Sequence, residues 1–399
     1  MPHLVETYAL NCGLKIDKPQ ILEKFFPLTS DKFITIHPNS KYGSKCYDYW
    51  DEVVNIIKDP LKENGIDILQ IGTKEDTPIR GCLHSQGKCD INQTAYIISK
   101  SILHLGADSF PTHVASGYGK KIVCLYSNTY AEIAKPYWTK EQDMVLLEPD
   151  RSKRKPSYSA EENPKTINEI NPDDIADAVL NLLGIKYDKK FKTIKKGVHY
   201  NAPIIQLVPD CLINVSQLGV DSVIVRMDLN HNEQALAEQL KVSKCSVVTE
   251  KPINLELLKA FKPKIKEFVY FINKETHNPD FVKELNKIGF PVVLMSEMSD
   301  EDIDSVKLYY MDYGLIQKAP KCPEEEVKKI KSLDLNNLYY KAKRIIISEG
   351  KYYHSEAAWH HKQPSPSIAP VENPVIDDED FWDCLDEFLI LEKVSWLFT

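Results

Sequence analysis

The residues best suited by type and spacing to do chemistry lie in ILHLGADSFPTHVASGYGKKIVCLY (102–126). An apolar run ends at Gly106, and Asp108 and Ser109 then open a helical pattern that carries His113. Gly117 and Gly119 close that pattern before the next apolar run. A helix N-terminus attracts anions, because its unpaired N–H groups and its dipole point at the ligand. Ser109 and Thr112 add hydroxyl donors, so a pyrophosphate would fit there. The same residues also read as an ordinary capping pair, a helix-start proline at Pro111 and a core-facing histidine. Spacing alone leaves both readings open.

The elements that must position this segment are legible around it. HLVETYALNCGL (3–14) reads as a short helix closed by Gly13, with Pro19 beyond it. KFITIHP (32–38), IDILQIG (66–72), ILHLGADS (102–109), KIVCLYS (121–127) and MVLLEP (144–149) read as strands. Helical patterns separate the first four: YWDEVVNIIKDPL (49–61), INQTAYIISKS (91–101) and PTHVASGYG (111–119). Such alternation predicts βαβ units and a parallel sheet, which binds ligands at the carboxyl ends of its strands. NPDDIADAVLNLLGI (171–185) has a helix cap at Asn171, Pro172 in the first turn and Gly184 at its end. Residues 186–197 read as a basic linker.

A second α/β region follows, with strand patterns at 203–209, 221–229, 245–250, 267–273 and 290–297 and helical ones between them. The expected layout is therefore two Rossmann-like lobes, 1–185 and 198–350, joined by 186–197 and followed by an appendage at 351–399.

The net charge of −8 argues against wholesale wrapping of nucleic acid, which needs a basic surface. The nine cysteines show no repeating spacing, which points to reduced thiols in a cytoplasmic protein. No run approaches ~18 consecutive apolar residues, so no membrane span is expected. Neither His354, His360 and His361 nor Cys82, His84 and Cys89 has the paired spacing of a zinc site. They read as surface histidines and a loop with free thiols, and no metal is expected. Tyr352, Tyr353 and Trp359 read as packing.

Residues 102–126 resemble the signature of glycosyltransferase family 9, the heptosyltransferases: Asp-[Ser/Thr]-Gly-Pro-Met-His-[Leu/Ile]-Ala, a short helix, Gly-Lys and an apolar strand. Asp108, Ser109, Pro111, His113, Ala115, Gly119 and Lys120 stand at matching positions. HPNSKYGSKCYDYW (37–50) resembles the family's His-Pro-Gly-Ala loop, with Lys45 at the phosphate-contacting lysine. IDILQIGTKED resembles the strand that ends at a glycine, here Gly72, beside the nucleoside. SNTYAEIAKPYW (127–138) resembles the loop after the signature. The likeness covers 1–185 as an ordered set. Three positions depart from it: Phe110 replaces the signature glycine, Thr112 the methionine and Asn39 the loop glycine. Asn39 suits the left-handed backbone that a glycine would take.

The resemblance implies a two-lobed (GT-B) fold; the family's acceptor lobe precedes this half, so a donor lobe that comes first in the chain, as in a circular permutation, is a departure from it. The resemblance also implies inverting transfer of a sugar from a nucleotide diphosphate to a glycan or other hydroxyl acceptor, with no metal or other cofactor. Asn39, Lys45, Gly72, Asp108, Ser109, Phe110, Thr112 and His113 would hold the donor. The acceptor lobe is expected within 198–350, the other arrangement being a protein partner that supplies it. The catalytic base does not carry over; Asp210, Asp228 and Glu250, each at the end of a strand pattern, are its candidates. The rival readings are a degenerate, non-catalytic module serving in binding or assembly, and a glycosyltransferase acting on nucleic acid.

Overall fold

A computed structural model describes residues 2–218 and 222–394. The chain divides into two compact units, Met1–Thr193 and Ile194–Thr399. No helix among the described residues is long and apolar enough to cross a membrane.

In the first unit α1 (Leu4–Cys12) is capped by His3 and stopped by Gly13 in the left-handed conformation. There follow β1 (Phe33–His37), α2 (Trp50–Glu63), β2 (Asp67–Gln70), β3 (Leu83–His84), α3 (Ile91–Lys100), β4 (Leu103–Ala107), α4 (Phe110–Gly117), β5 (Lys121–Leu125), α5 (Ala131–Ala134), β6 (Met144–Leu147) and α6 (Pro172–Leu183). The sheet order is β3-β2-β1-β4-β5-β6, and every pairing is parallel. β4 is buried throughout and β1 over all but His37. Strands covered by helices on both faces must be apolar on both sides, which is why they read as continuous runs. The sheet grows one way from β1 through β2 and β3, and the other way from β4 through β5 and β6. The reversal opens a crevice above the ends of β1 and β4.

The boundary falls within β7 (Phe191–Lys196), and the second unit continues with β8 (Ile204–Leu207), β9 (Ser222–Arg226), α7 (Glu233–Val242), β10 (Lys244–Thr249), α8 (Leu255–Ala260), β11 (Ile265–Phe271), α9 (Pro279–Ile288), β12 (Val292–Ser296), α10 (Asp300–Val306) and β13 (Ile316–Lys318). The remaining elements are α11 (Glu324–Lys331), β14 (Leu338–Ala342), β15 (Arg344–Ser348), β16 (Lys351–Tyr353), α12 (Glu356–His360), β17 (Asn373–Pro374), α13 (Glu379–Asp383) and β18 (Phe388–Lys393). An eight-stranded sheet runs β13-β12-β11-β10-β9-β8-β15-β16, and a smaller one runs β17-β14-β18-β7.

The larger sheet is parallel except for its β15–β16 hairpin, and from β8 to β13 it grows in one direction only. Val223, Val225, Val247, Phe268, Tyr270 and Leu294 face one side, packed with Leu236 and Leu240 of α7, Leu258 of α8 and Leu285 of α9. Side chains alternate along a strand, so Ile224, Arg226, Val248, Val269 and Met295 face the other. This sheet is wound differently from the first.

Two stretches differ from their sequence reading. Residues 191–196 of the basic linker form β7, where the Lys195 ammonium sits between Glu326 and Asp386 (2.9 Å). The stretch from 351 onward is no appendage. It supplies β16 to the large sheet and buries Phe381, Trp382, Leu385, Phe388 and Ile390 against Leu338 and Tyr340 of β14. Burying those five apolar side chains holds it in the unit.

Gly197 lies where its N–H reaches the Phe388 carbonyl at 2.8 Å, and a Cβ there would run into the Asp386 carbonyl. Because backbone, not a flexible side chain, blocks the site, Gly197→Ala should cost about 1–3 kcal/mol. The fall in Tm by thermal denaturation of the full chain measures it; an unchanged melt would refute the close packing of this turn.

Candidate functional site

The carboxyl ends of β1, β2 and β4 surround a cleft of about 640 Å³ in the first unit. Three loops build it. The first, HPNSKYGSK, leaves β1 at His37 and is anchored where Trp50 Nε1 donates to the Pro38 carbonyl at 2.9 Å. Its turn at Gly43–Lys45 is pinned through Ser44, whose hydroxyl donates to the Ser159 carbonyl at 2.7 Å and whose carbonyl accepts from Ser127 Oγ at 2.8 Å. Lys45 is thereby delivered to the cleft with its side chain only 15% exposed.

The second loop begins at Gly72, whose φ of +145° few other residues adopt. A Cβ there would run into the Asp76 carboxylate. Asp76 accepts from the Thr73 backbone N–H at 2.8 Å and from Asn39 Nδ2 at 2.8 Å, so it ties the first two loops together. The third loop is Asp108-Ser109 at the start of α4. Asp108 forms an ion pair with Lys45 and lies 3.2 Å from His113 Nε2. The Ser109 hydroxyl lies 3.2 Å from His37 Nδ1.

Burial drives the Asp108 carboxyl upward, but the His113 hydrogen bond and the Lys45 charge outweigh it and hold the group below the ordinary aspartate range. It is ionised at neutral pH. Burial lowers the His37 imidazole, against a smaller upward pull from Asp76, which favours its neutral form. The cleft thus carries two buried carboxylates, Asp76 between the first two loops and Asp108, with one lysine that Asp108 holds in place, a hydroxyl against a neutral imidazole, and the first backbone N–H of α4. An incoming anion can contact Lys45 and that N–H, as charge-assisted hydrogen bonding to phosphate requires.

Of the predicted donor residues, Asn39, Lys45, Gly72, Asp108, Ser109 and Phe110 line this cleft. His113 stands behind it on Asp108. Thr112 does not present its hydroxyl. It is fully buried and donates to the Ala107 carbonyl at 2.9 Å, the bond open to a threonine in a first helical turn packed on its sheet. Asn39 is not in the left-handed region, and its role is the hydrogen bond to Asp76. Phe110 is 47% exposed at the first position of α4, with its ring on the cleft rim.

Sequence reasoning missed His37 and Asp76. The His-Pro pair after β1 and the acid four residues beyond Gly72 were the available signals. Among the base candidates, Asp210 accepts from the Ser348 hydroxyl and, at 2.9 Å, from the Glu349 N–H. It pins the β15–β16 turn. Asp228 and Glu250 face a cavity within the second unit.

The histidines of the 354–361 cluster are not gathered. His360 pairs with Asp380 at 2.7 Å and His361 with Asp378 at 2.9 Å. His354 is buried, not at the surface, with its two ring nitrogens at 3.1 and 3.0 Å from the Ala342 and Ser367 carbonyls. Cys322, Glu326 and Asp386 lie close enough to ligate a metal, but the Lys195 ammonium already bonds both carboxylates.

His104, beneath the cleft, is fully buried, with Nδ1 3.0 Å from Thr35 Oγ1. Burial first, then the nearby His37 and His113, lowers its pKa to about 3. A folded-state pKa below the unfolded 6.5 means that the unfolded chain takes up the proton first. Stability is then lost as pH falls from 6.5 towards 3, by up to about 1.4 kcal/mol per pH unit. Urea denaturation between pH 7 and 5 should show this slope, and His104→Phe should flatten it. Equal slopes in both proteins would refute the assignment.

Comparison with known proteins finds no match among curated sequences. Solved structures do match. The glycosyl transferase family 9 protein of Veillonella parvula is 20% identical, with 38% of this chain and 46% of that chain covered and a TM-score of 0.32. ADP-heptose lipopolysaccharide heptosyltransferase II of E. coli is 14% identical, with 45% and 50% covered and a TM-score of 0.31. The iron-containing dodecameric glycosyltransferase TibC of enterotoxigenic E. coli is 11% identical, with 43% and 48% covered and a TM-score of 0.31. The chain therefore spans about half the length of these structures. Residues 6–164, which contain every loop of the cleft, match the model of glycosyltransferase family 9 (heptosyltransferase), the family that their motifs resemble.

Proposed function

We propose that this protein transfers a sugar from a nucleotide-diphosphate donor to a hydroxyl acceptor such as a glycan, and that the cleft of the first unit binds the donor diphosphate. The observation that carries this reading is the placement of Lys45 and the start of α4 on one crevice, at the switch point of a parallel sheet. The family match over the same residues supports it.

As the sugar–oxygen bond breaks, negative charge grows on the leaving diphosphate. Groups fixed in advance where charge develops lower the barrier, because nothing has to reorganise during the reaction. Lys45, the Ser109 hydroxyl and the Phe110 N–H are such groups, and Asp108 fixes Lys45 and His113. A general base takes the proton from the acceptor hydroxyl. Inversion at the sugar carbon, independence of any metal, and a cytoplasm-like compartment that keeps the nine free cysteines reduced are parts of the same proposal.

Phe110 favours a second reading, a cleft no longer used for catalysis, because its ring stands where the resemblance expects no side chain. Calorimetry with ADP, UDP, GDP and CDP separates the two. One nucleotide should bind saturably, and Lys45→Ala should weaken it roughly 10- to 100-fold, the worth of a charge-assisted hydrogen bond. If none of the four binds to folded wild-type protein, the transferase reading fails. Nucleotide binding that appears only in Phe110→Gly would show the ring to be the obstruction.

A further inference from the structure

The cleft of the first unit has a second wall, which its anion-binding groups do not use. α3 and α4 bury their inner faces in one core, Ala95 and Ile98 of the first with Val114 and Ala115 of the second. Their first residues, Ile91 and Phe110, open on the same cleft, and Cys89 lies beside them just before α3. Ile91 is 61% exposed and Phe110 47%. Tyr42 lines the cleft as well, from the loop that delivers Lys45, with its ring centroid 5.9 Å from Lys45 Nζ. Apolar side chains left in water are unfavourable, and inside a concave site they are the surface that the carbon face of a ligand covers.

Phe110 serves the cleft twice over. Its backbone N–H is the first of α4 and one of the groups that an anion contacts, and its ring rises from the same residue. The backbone donor needs no side chain, so the ring meets the part of a ligand that lies beyond the phosphates. It does not close the site, because about 640 Å³ stays open with the ring in place. An exposed aromatic face is best covered by another flat ring, and a nucleobase stacked on an aromatic side chain gains roughly 5- to 150-fold in affinity. A lipid tail would need a longer apolar track than Cys89, Ile91 and Phe110 provide, since His37, Asn39, Asp76 and Asp108 bound the rest of the cleft.

We propose that Phe110 is the platform on which the base of the donor nucleotide stacks, with Ile91 and Cys89 extending it. The residue that departs from the family signature then selects a nucleoside diphosphate over other diphosphates. This rests on the donor reading of the cleft and is the opposite of an obstructing ring.

Calorimetry of the full chain with ADP, UDP, GDP, CDP, inorganic pyrophosphate and geranyl diphosphate tests it. At least one nucleotide should bind. Phe110→Ala should weaken that nucleotide roughly 10-fold, as loss of a stacked base does, and change pyrophosphate binding by less than ~2-fold. Phe110→Trp, which keeps a flat ring, should bind the nucleotide about as well as the wild type. Ile91→Ser, a second change on the same wall, should weaken the nucleotide in the same direction as Phe110→Ala. Lys45→Ala should weaken nucleotide and pyrophosphate alike. If it does so while Phe110→Ala spares the nucleotide, the platform fails and the donor reading stands. Tighter nucleotide binding by Phe110→Ala, an equal loss of pyrophosphate, or geranyl diphosphate bound more tightly than every nucleotide would each overturn the platform. Binding of none of these ligands by folded wild-type protein overturns both.

Discussion

The cleft of the first unit depends on one buried carboxylate. Asp108 sits at the end of the strand where the sheet reverses its direction of growth, and both Lys45 and His113 are oriented on it. A lysine on a long loop would otherwise sample many rotamers, at a cost of ~2 kcal/mol when an anion had to fix it. Asp108 accepts that ordering in advance. It also neutralises the charge that it positions, so an arriving diphosphate shares Lys45 with the carboxylate instead of meeting a bare cation. The two anchored loops give this arrangement its stiffness: Ser44 is tied to 159 and 127, and Asp76 to Asn39 and Thr73.

Much of the first unit was readable in advance because its physics is local. Strands buried on both faces show as apolar runs, and α6 carries its signals at Asn171, Pro172 and Gly184 within its own span. The convergence of Lys45, Gly72, Asp108 and Ser109 was likewise expected, since loops at the carboxyl ends of neighbouring parallel strands must meet. Side-chain direction was not readable. Thr112 turns inward to a carbonyl and Asn39 towards Asp76, choices set by partners distant in sequence or by the packing of one turn.

The second unit was harder for a physical reason. β7 is a Lys-rich strand whose buried cation is balanced by carboxylates on elements far along the chain, so its own residues look solvated. β18 follows an acidic, aromatic stretch that reads as a surface segment until β14 is known to lie beside it. The mixed polar and apolar pattern of DSVIVRMDL also hid its meaning. Arg226 and Asp228 face a cavity and are bonded to each other, with Glu356 and Gln206 also on the arginine.

The winding of the second unit has a consequence for how the chain is made. The first unit draws all its strands from a contiguous stretch and can fold as soon as that stretch is available. The small sheet of the second unit places β7, near its beginning, beside β18, near its end. Its contacts are among the longest-range in the chain, which slows folding. Until residues 388–393 arrive, the face of the large sheet that carries Phe271 and Ile346 lacks its β18 cover. All six strands of the first sheet are made before residue 150, whereas the small sheet of the second unit cannot be completed before residues 388–393 are made.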